Sequence, residues 1–329
     1  MNKSRSIQWL GVRAIRYVCL LLAAVSLTAC IEVYVFDQAP TGGPIQVMII
    51  TPTPSQDAVP SFPAVEDRPP ETDTWLRPAD DMPMIHIAAG AFAMGADLAD
   101  DQASENEKPA HSVQLSSYWI DEHEVTNAQY QRCVAAGACR PPMQCDWGTP
   151  TYGDPARSNH PVICVSWADA SAYCQWAGAR LPTEAQWEKA ARAASRRRYP
   201  WGDAPQPASL NLCDQNCALE SRLEDVDDGY ARTAPAGHYP GGASPYGVLD
   251  MAGNVWEWVA DWYDPGYYST SSATEPLGPG SGAQKVSRGG SWDNTWHGVR
   301  TTARNWDNPQ DRMETVGFRC SMPVVPGLP

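Results

Sequence analysis

The stretch Arg180-Leu181-Pro182-Thr183-Glu184-Ala185-Gln186-Trp187-Glu188 announces the start of a helix in its residue types. The Thr183 hydroxyl can accept from the first free amides, and an amide side chain follows three positions later at Gln186, the spacing of a capping box. The pattern predicts a helix that ends near Arg196. The same grammar occurs twice upstream. Thr126-Asn127-Ala128-Gln129 opens a helix that stops near Gly137, and Ser166-Trp167-Ala168-Asp169 opens one that stops near Gly178, each with glycine at the exit. Before the first helix, Met84-Ile85-His86-Ile87 alternates weakly and Gly90-Ala91-Phe92-Ala93-Met94-Gly95 follows, which reads as a hairpin with glycine at its turns. Residues 111–115 and 118–120 read as further short strands, and beyond Tyr199 the chain is rich in Gly, Pro and Trp with few helix signals. Short helices and short strands in a chain rich in Gly and Pro predict a loop-rich fold rather than a helical bundle.

Composition agrees. The chain has 329 residues, with 14 tryptophans against 4 phenylalanines, and 30 prolines with 25 glycines. That length suits one large or two ordinary domains. The net charge of −14 argues against nucleic-acid binding, which needs a basic face.

The N-terminus reads as an export signal. Lys3, Arg5, Arg13 and Arg16 precede a short apolar run at residues 18–25, and Leu27-Thr28-Ala29-Cys30 closes it. The run is shorter than the roughly 20 residues a membrane span requires. The closing residues resemble the bacterial lipobox, which implies acylation at Cys30. Residues 1–29 are therefore expected to leave as a lipoprotein signal peptide, and with them four positive charges and no acid, so the remaining chain stands near −18. Residues 30–81 hold many prolines, and residues 31–81 carry nine acids against two arginines, a composition that does not bury enough apolar surface to fold. They read as a tether, which would reach roughly 40 Å as a flexible coil of about 50 residues. The folded domain is expected at 82–323, with a tail at 324–329. The expected place is the bacterial cell envelope, with a lipid anchor in the membrane.

Eight cysteines remain after Cys19 and Cys30: Cys133, Cys139, Cys145, Cys164, Cys174, Cys213, Cys217 and Cys320. An even number in an exported chain predicts disulfides. Cys213 and Cys217 are close enough for a local bridge, and spacing alone leaves the pairing open.

The landmarks form an ordered series: Gly90 to Gly95, then Ile120-Asp121-Glu122-His123-Glu124-Val125-Thr126-Asn127-Ala128-Gln129-Tyr130, His160-Pro161-Val162 with Val165-Ser166-Trp167, and the Arg180 stretch. Tyr199-Pro200-Trp201-Gly202, Asp250-Met251-Ala252-Gly253-Asn254-Val255-Trp256-Glu257-Trp258, Arg288-Gly289-Gly290-Ser291-Trp292 and Gly317-Phe318-Arg319-Cys320 complete it. This series resembles the sulfatase-modifying factor family, whose founding members are formylglycine-generating enzymes. The resemblance implies a compact, loop-rich α+β fold related to C-type lectins, and a disulfide between Cys174 and Cys320.

The same resemblance places a copper-binding cysteine pair shortly after the Gly-Gly-Ser-aromatic motif, where soft thiolates would suit Cu(I). Here those positions hold Asn294 and, nearby, Val299, and no cysteine lies between Cys217 and Cys320. No catalytic residue is therefore assigned, and copper is not expected. Calcium is. The family's two calcium places match Asn211, Leu212, Asp228 and Tyr230, and Asp250, Gly253, Val255 and Glu257, with a structural role. Ser291, Trp292, Asn294, Trp296, His297, Arg300, Arg304 and Trp306 fall on the family's substrate groove and are expected to form a recognition surface, since Trp and Arg are favoured anchors. The expected function is a lipid-anchored, calcium-stabilised module that binds a protein, peptide or glycan or serves an assembly. A formylglycine-generating oxidase with an atypical site is the alternative.

Overall fold

The computed structural model of the chain describes residues 74–142 and 144–324. All of these fall within residues 62–329, one of the two units into which the chain divides, and only that unit is described. The expected signal peptide at 1–29, Cys30, residues 30–73 of the expected tether and residues 325–329 of the tail lie outside the described residues.

In chain order the elements are β1 (Thr74–Arg77), β2 (Met82–Ile87), β3 (Gly90–Met94), β4 (His111–Leu115), β5 (Tyr118–Asp121), α1 (Asn127–Ala135), α2 (Trp167–Trp176) and α3 (Glu184–Arg192). After a long irregular stretch come β6 (Trp256–Trp262), β7 (Lys285–Arg288), β8 (Arg304–Asp307), β9 (Val316–Phe318) and β10 (Ser321–Pro323). The strands form two four-stranded sheets, β1-β2-β5-β10 and β8-β7-β6-β9, and the pair β3-β4. Every pairing is antiparallel except β6 with β9. All three helices begin at the expected caps. Thr126, Ser166 and Thr183 accept from the amides of Gln129, Asp169 and Gln186 at 3.3, 3.2 and 3.1 Å.

Three expectations need correction. Folded structure begins at Thr74, not at residue 82, because Arg77 is 1% exposed and clamped by Asp80 and Asp121 at 2.6 and 2.7 Å. A composition averaged over 50 residues does not register one charge with two buried partners. Second, β2 and β3 do not form a hairpin with each other. β2 lies between β1 and β5, while β3 pairs with β4. At the connection, the Ala88 and Gly90 carbonyls accept from the Lys189 ammonium at 2.7 and 3.0 Å. Third, α3 ends at Arg192 rather than near Arg196, since Ala193 adopts φ 53°.

α3 is buried along its whole length, although it carries Glu184, Glu188, Lys189 and Arg192. Each charge has a partner. Arg288 holds Glu184 at 3.0 Å and Glu188 at 2.7 Å; Arg304 grips Glu184 at 2.7 and 3.0 Å; Arg192 reaches Glu188 at 3.2 Å. The apolar side chains around these pairs form a core of Ile85, Phe92, Leu115, Ile120, Trp187 and Val286. A second core packs α1 and α2 against Trp258 and Phe318.

All eight cysteines of the described residues are paired: Cys133–Cys139, Cys145–Cys164, Cys174–Cys320 and Cys213–Cys217. The Cys174–Cys320 bridge, spanning 146 positions, ties α2 to the junction of β9 and β10. By chain entropy, a loop of that size is worth about 5 kcal/mol, against about 2 kcal/mol for the loops of four to six residues.

Two outcomes are expected. Arg77→Met should lower unfolding free energy in urea by about 3–5 kcal/mol, because it leaves Asp80 and Asp121 buried beside no cation; a loss under about 1 kcal/mol would show that Arg77 does not anchor the N-terminal strand. Asp261 accepts from the Glu184 amide at 2.8 Å, and burial together with the Glu184 charge pushes its carboxyl up to about 7. The folded chain thus keeps a proton that the unfolded chain releases, so this group removes stability as pH rises from about 4 to 7, by up to about 1.4 kcal/mol per unit. Asp261→Asn should flatten that slope relative to the parent in urea melts across the window.

Candidate functional site

Two glycines shape the segment that follows β7. Gly289 and Gly290 have φ of 101° and 78°, and a Cβ on Gly290 would meet the Val299 side chain at 2.7 Å. The chain therefore folds back with Val299 closed beneath it. Val299 is fully buried, packed with Tyr199, Leu210, Leu212 and Ala252. Asn294 caps the turn: its side-chain oxygen accepts from the Ser291 amide at 3.0 Å, and its carbonyl accepts from the Cys213 amide at 2.8 Å. Neither position offers a donor to a soft metal.

The expected recognition surface is corrected by burial. Arg300 is 2% exposed and held by Glu107 at 2.7 Å from both ends of its guanidinium. Arg304 is 7% exposed and committed to Glu184. Ser291 is fully buried, and Trp292 keeps 9% of its surface, with Arg232 lying 5.6 Å from its ring centroid. His297 stands exposed, Asn294 and Trp296 are half-buried, and Trp306 is exposed and stacks on Tyr263 at 4.2 Å. Three aromatic side chains were missed. Trp147 is 60% exposed, with its carbonyl bonded to the Glu314 amide, while the Trp292 indole donates to the Glu314 carbonyl. Tyr199 stacks on Trp201 at 5.3 Å and meets Trp296 edge-on at 5.6 Å. Isolated tryptophans carry no period that would separate these from core residues.

The eight expected oxygen donors for calcium lie in two neighbouring clusters. In one, the Asp228 carboxylate accepts from the Leu212 and Tyr230 amides at 2.8 and 2.9 Å, and Asn211 lies beside Leu212. Burial, with Asp214 adding to it, pushes Asp228 up to about 7. In the other, Asp250 accepts from the Gly237 amide, and Glu257 receives the Arg319 fork at 2.6 and 2.7 Å. Asn254 joins the two. Its amide donates to the Asn211 carbonyl at 2.9 Å, its side-chain oxygen accepts from the Asn211 side chain at 3.0 Å, and its side-chain nitrogen donates to Glu124 at 3.0 Å. Glu124 was not expected here. Burial, Asp250 and Glu257 together push its carboxyl well above the usual range.

Among the described residues, no group of three or more His, Cys, Asp or Glu is arranged to hold a metal. A calcium ion, however, also accepts carbonyl and amide oxygens. One buried oxygen of the first cluster, Asn211 Oδ1, has no hydrogen-bond partner among the described residues. An unpaired buried acceptor costs about 1–3 kcal/mol, and a cation would satisfy it. That orphaned oxygen is the observation by which the residues fit calcium; the Glu124 carboxyl, kept protonated, bonds to Asp250. Glu257 fits less well, because Arg319 already neutralises it.

Residues 73–323 match the model of the sulfatase-modifying factor enzyme 1-like domain, which covers the whole folded part. The chain belongs to that family. It is 35% identical over 287 residues to the formylglycine-generating enzyme of Streptomyces coelicolor, covering 74% of this chain and 90% of the relative. It is 36% identical over 267 residues to hercynine oxygenase of Mycolicibacterium thermoresistibile, covering 71% of this chain but 57% of that protein. Among solved structures, PvdO from Pseudomonas aeruginosa superposes with a TM-score of 0.63 at 26% identity, over 76% of this chain and 98% of that one. Treponema denticola variable protein 1 shares the fold at a TM-score of 0.60 and 23% identity, over 78% and 100%. The expected fold class holds: this sulfatase-modifying factor domain is α+β, loop-rich, disulfide-bonded and of the C-type lectin kind. Its relatives include enzymes, so an enzymatic role is open to the family.

Proposed function

We propose that this member of the family is a recognition module rather than a copper oxidase. It is anchored by a lipid on Cys30 at the bacterial cell envelope, stabilised by calcium, and binds a protein, peptide or glycan. One observation carries the reading. The eight cysteines of the described residues are all in disulfides, and the places that resemble the family's copper thiolates are a turn-capping amide at Asn294 and a core methyl group at Val299. An amide oxygen is a hard donor and a valine is none, so Cu(I) would have no soft ligand there. Trp147, Trp201, Trp296 and His297 supply the aromatic and polar contact surface of such a module. The Leu27-Thr28-Ala29-Cys30 ending supports the anchor, and the acidic charge argues against a nucleic-acid partner.

Calcium would take Asn211, Leu212, Asp228 and Tyr230 in one cluster, and Asp250, Gly253 and Val255, with Glu124 and Glu257 beside them, in the other. It would supply charge compensation, holding loops that pack little apolar surface. A second reading, a formylglycine-generating oxidase with an atypical site, is favoured by the 35% identity to the Streptomyces coelicolor enzyme along 90% of its length.

Copper and a cysteine-containing sulfatase peptide offered to the purified full chain should yield no aldehyde by mass spectrometry. Turnover comparable to that of a formylglycine-generating enzyme would overturn the recognition reading. Chelation should lower the melting temperature, and calcium at a hundredfold its dissociation constant should restore about 2.7 kcal/mol of stability. Asn211→Ala and Asp228→Asn should weaken that response, and an equal melting temperature with and without chelator in the parent would remove calcium from the account.

A further inference from the structure

Three consecutive arginines, Arg196-Arg197-Arg198, follow α3. These arginines line a cavity of about 90 Å³ together with Arg192, Arg300 and three aspartates. That is room for several waters or for one tetrahedral anion. The run is fixed in place: the Thr301 amide donates to the Arg198 carbonyl at 2.8 Å, and the Thr301 hydroxyl donates to the Arg197 carbonyl at 2.9 Å.

A buried arginine network adjoins this cavity. Arg192, Arg288 and Arg304 are at most 7% exposed, and between them they share two carboxylates, Glu184 and Glu188. Glu188 is divided: one oxygen receives Arg288 at 2.7 Å, while the other receives Arg192 at 3.2 Å and the Gly95 amide at 2.7 Å. The next acid, Asp261, holds its proton up to about 7, and its charge once ionised faces Arg304 and Lys285. Arg192 is the member of this network that lines the cavity.

In the walls, Glu107 offsets Arg300, and Arg196 pairs with Asp97 at 2.6 Å. Asp203 accepts from the Arg198 amide at 2.8 Å, and Asp100 from the Gln102 amide at 2.9 Å. The Arg198 guanidinium makes no hydrogen bond or ion pair among the described residues, although it is half-buried. Five arginines thus line the cavity against three aspartates, in a chain whose total charge is −14. A guanidinium presents paired N–H donors that match two oxygens of a phosphate or sulfate.

We propose that this cavity is an oxyanion site, in which the guanidinium groups of Arg192 and Arg198 hold a phosphate or sulfate ion. The anion would complete the ion network that buries α3, so occupancy and stability are coupled. The site lies outside both calcium clusters and outside the Asn294 segment, so it stands or falls independently of them.

The test is a titration of the full chain with potassium phosphate and, separately, with potassium sulfate, each against potassium chloride at matched ionic strength. Melting temperature and titration calorimetry are the readouts. The expected result is a saturable rise in melting temperature with one or both oxyanions and none with chloride. Arg198→Ala, which removes a side chain that makes no internal bond, should keep the parent's melting temperature in chloride and weaken oxyanion binding at least tenfold. Arg192→Lys keeps the buried charge but loses the fork, and should also bind at least tenfold more weakly. Saturable binding by phosphate alone, sulfate alone or both supports the proposal and identifies the ion. An equal shift with chloride, or undiminished binding by Arg198→Ala, overturns it.

Discussion

Burying charge in a protein interior costs several kcal/mol per ion unless a partner and further hydrogen bonds are supplied. α3 accepts that cost four times over, since Glu184, Glu188, Lys189 and Arg192 all lie inside. The partners come from far along the chain: Arg288 ends β7, Arg304 begins β8, and the carbonyls of Ala88 and Gly90 precede and open β3. The helix therefore works as a junction. It requires the β8-β7-β6-β9 sheet on one side and the start of the β3-β4 pair on the other, and it is uncompensated if either is absent. Stability rests here on a closed set of polar contacts as much as on apolar packing, and a closed set tolerates few alternative arrangements.

The irregular region between α3 and β6 meets the same requirement by other means. It packs a small apolar cluster around Tyr199, Leu210 and Leu212, and most of its order comes from local bridges. Cys213–Cys217 closes one loop, and Asp214, Asp228 and Asn254 satisfy the amides that surround it. Gly253 has no room for a side chain, since a Cβ there would lie 2.1 Å from the Asn211 carbonyl. The two oxygen-rich clusters are consequently one connected piece of backbone. The orphaned Asn211 oxygen marks a place where this bonding scheme is incomplete within the protein itself.

The family's framework can keep its geometry while its chemistry changes. The Gly289-Gly290 turn and the Ser291 to Asn294 cap are intact, so the loop that follows holds its shape without thiolates. An asparagine in the turn and a valine in the core serve that shape well, because each is bonded or packed in place. Recognition then depends on what remains at the surface around the loop, which is aromatic and polar rather than redox-active.

Residue types alone determined the helix starts, because a capping box is local and needs only three neighbouring positions. They also determined the ordered landmarks of the family, whose resemblance implied the class of the fold and the loss of thiolates at Asn294 and Val299. The strands were legible as strands, since alternation reports a half-buried surface, but alternation carries no information on partners. Tertiary structure decided that β2 joins β5 while β3 joins β4. It decided that Arg77 belongs to the core and that Arg300 and Arg304 are internal ties rather than surface anchors. It also brought Glu124 beside Asp250, more than a hundred positions away. A charged side chain reads the same in sequence whether it meets water or a buried partner. Only the folded chain brings together the two groups whose desolvation must be compensated, and for that physical reason the ion pairs were left to the tertiary structure.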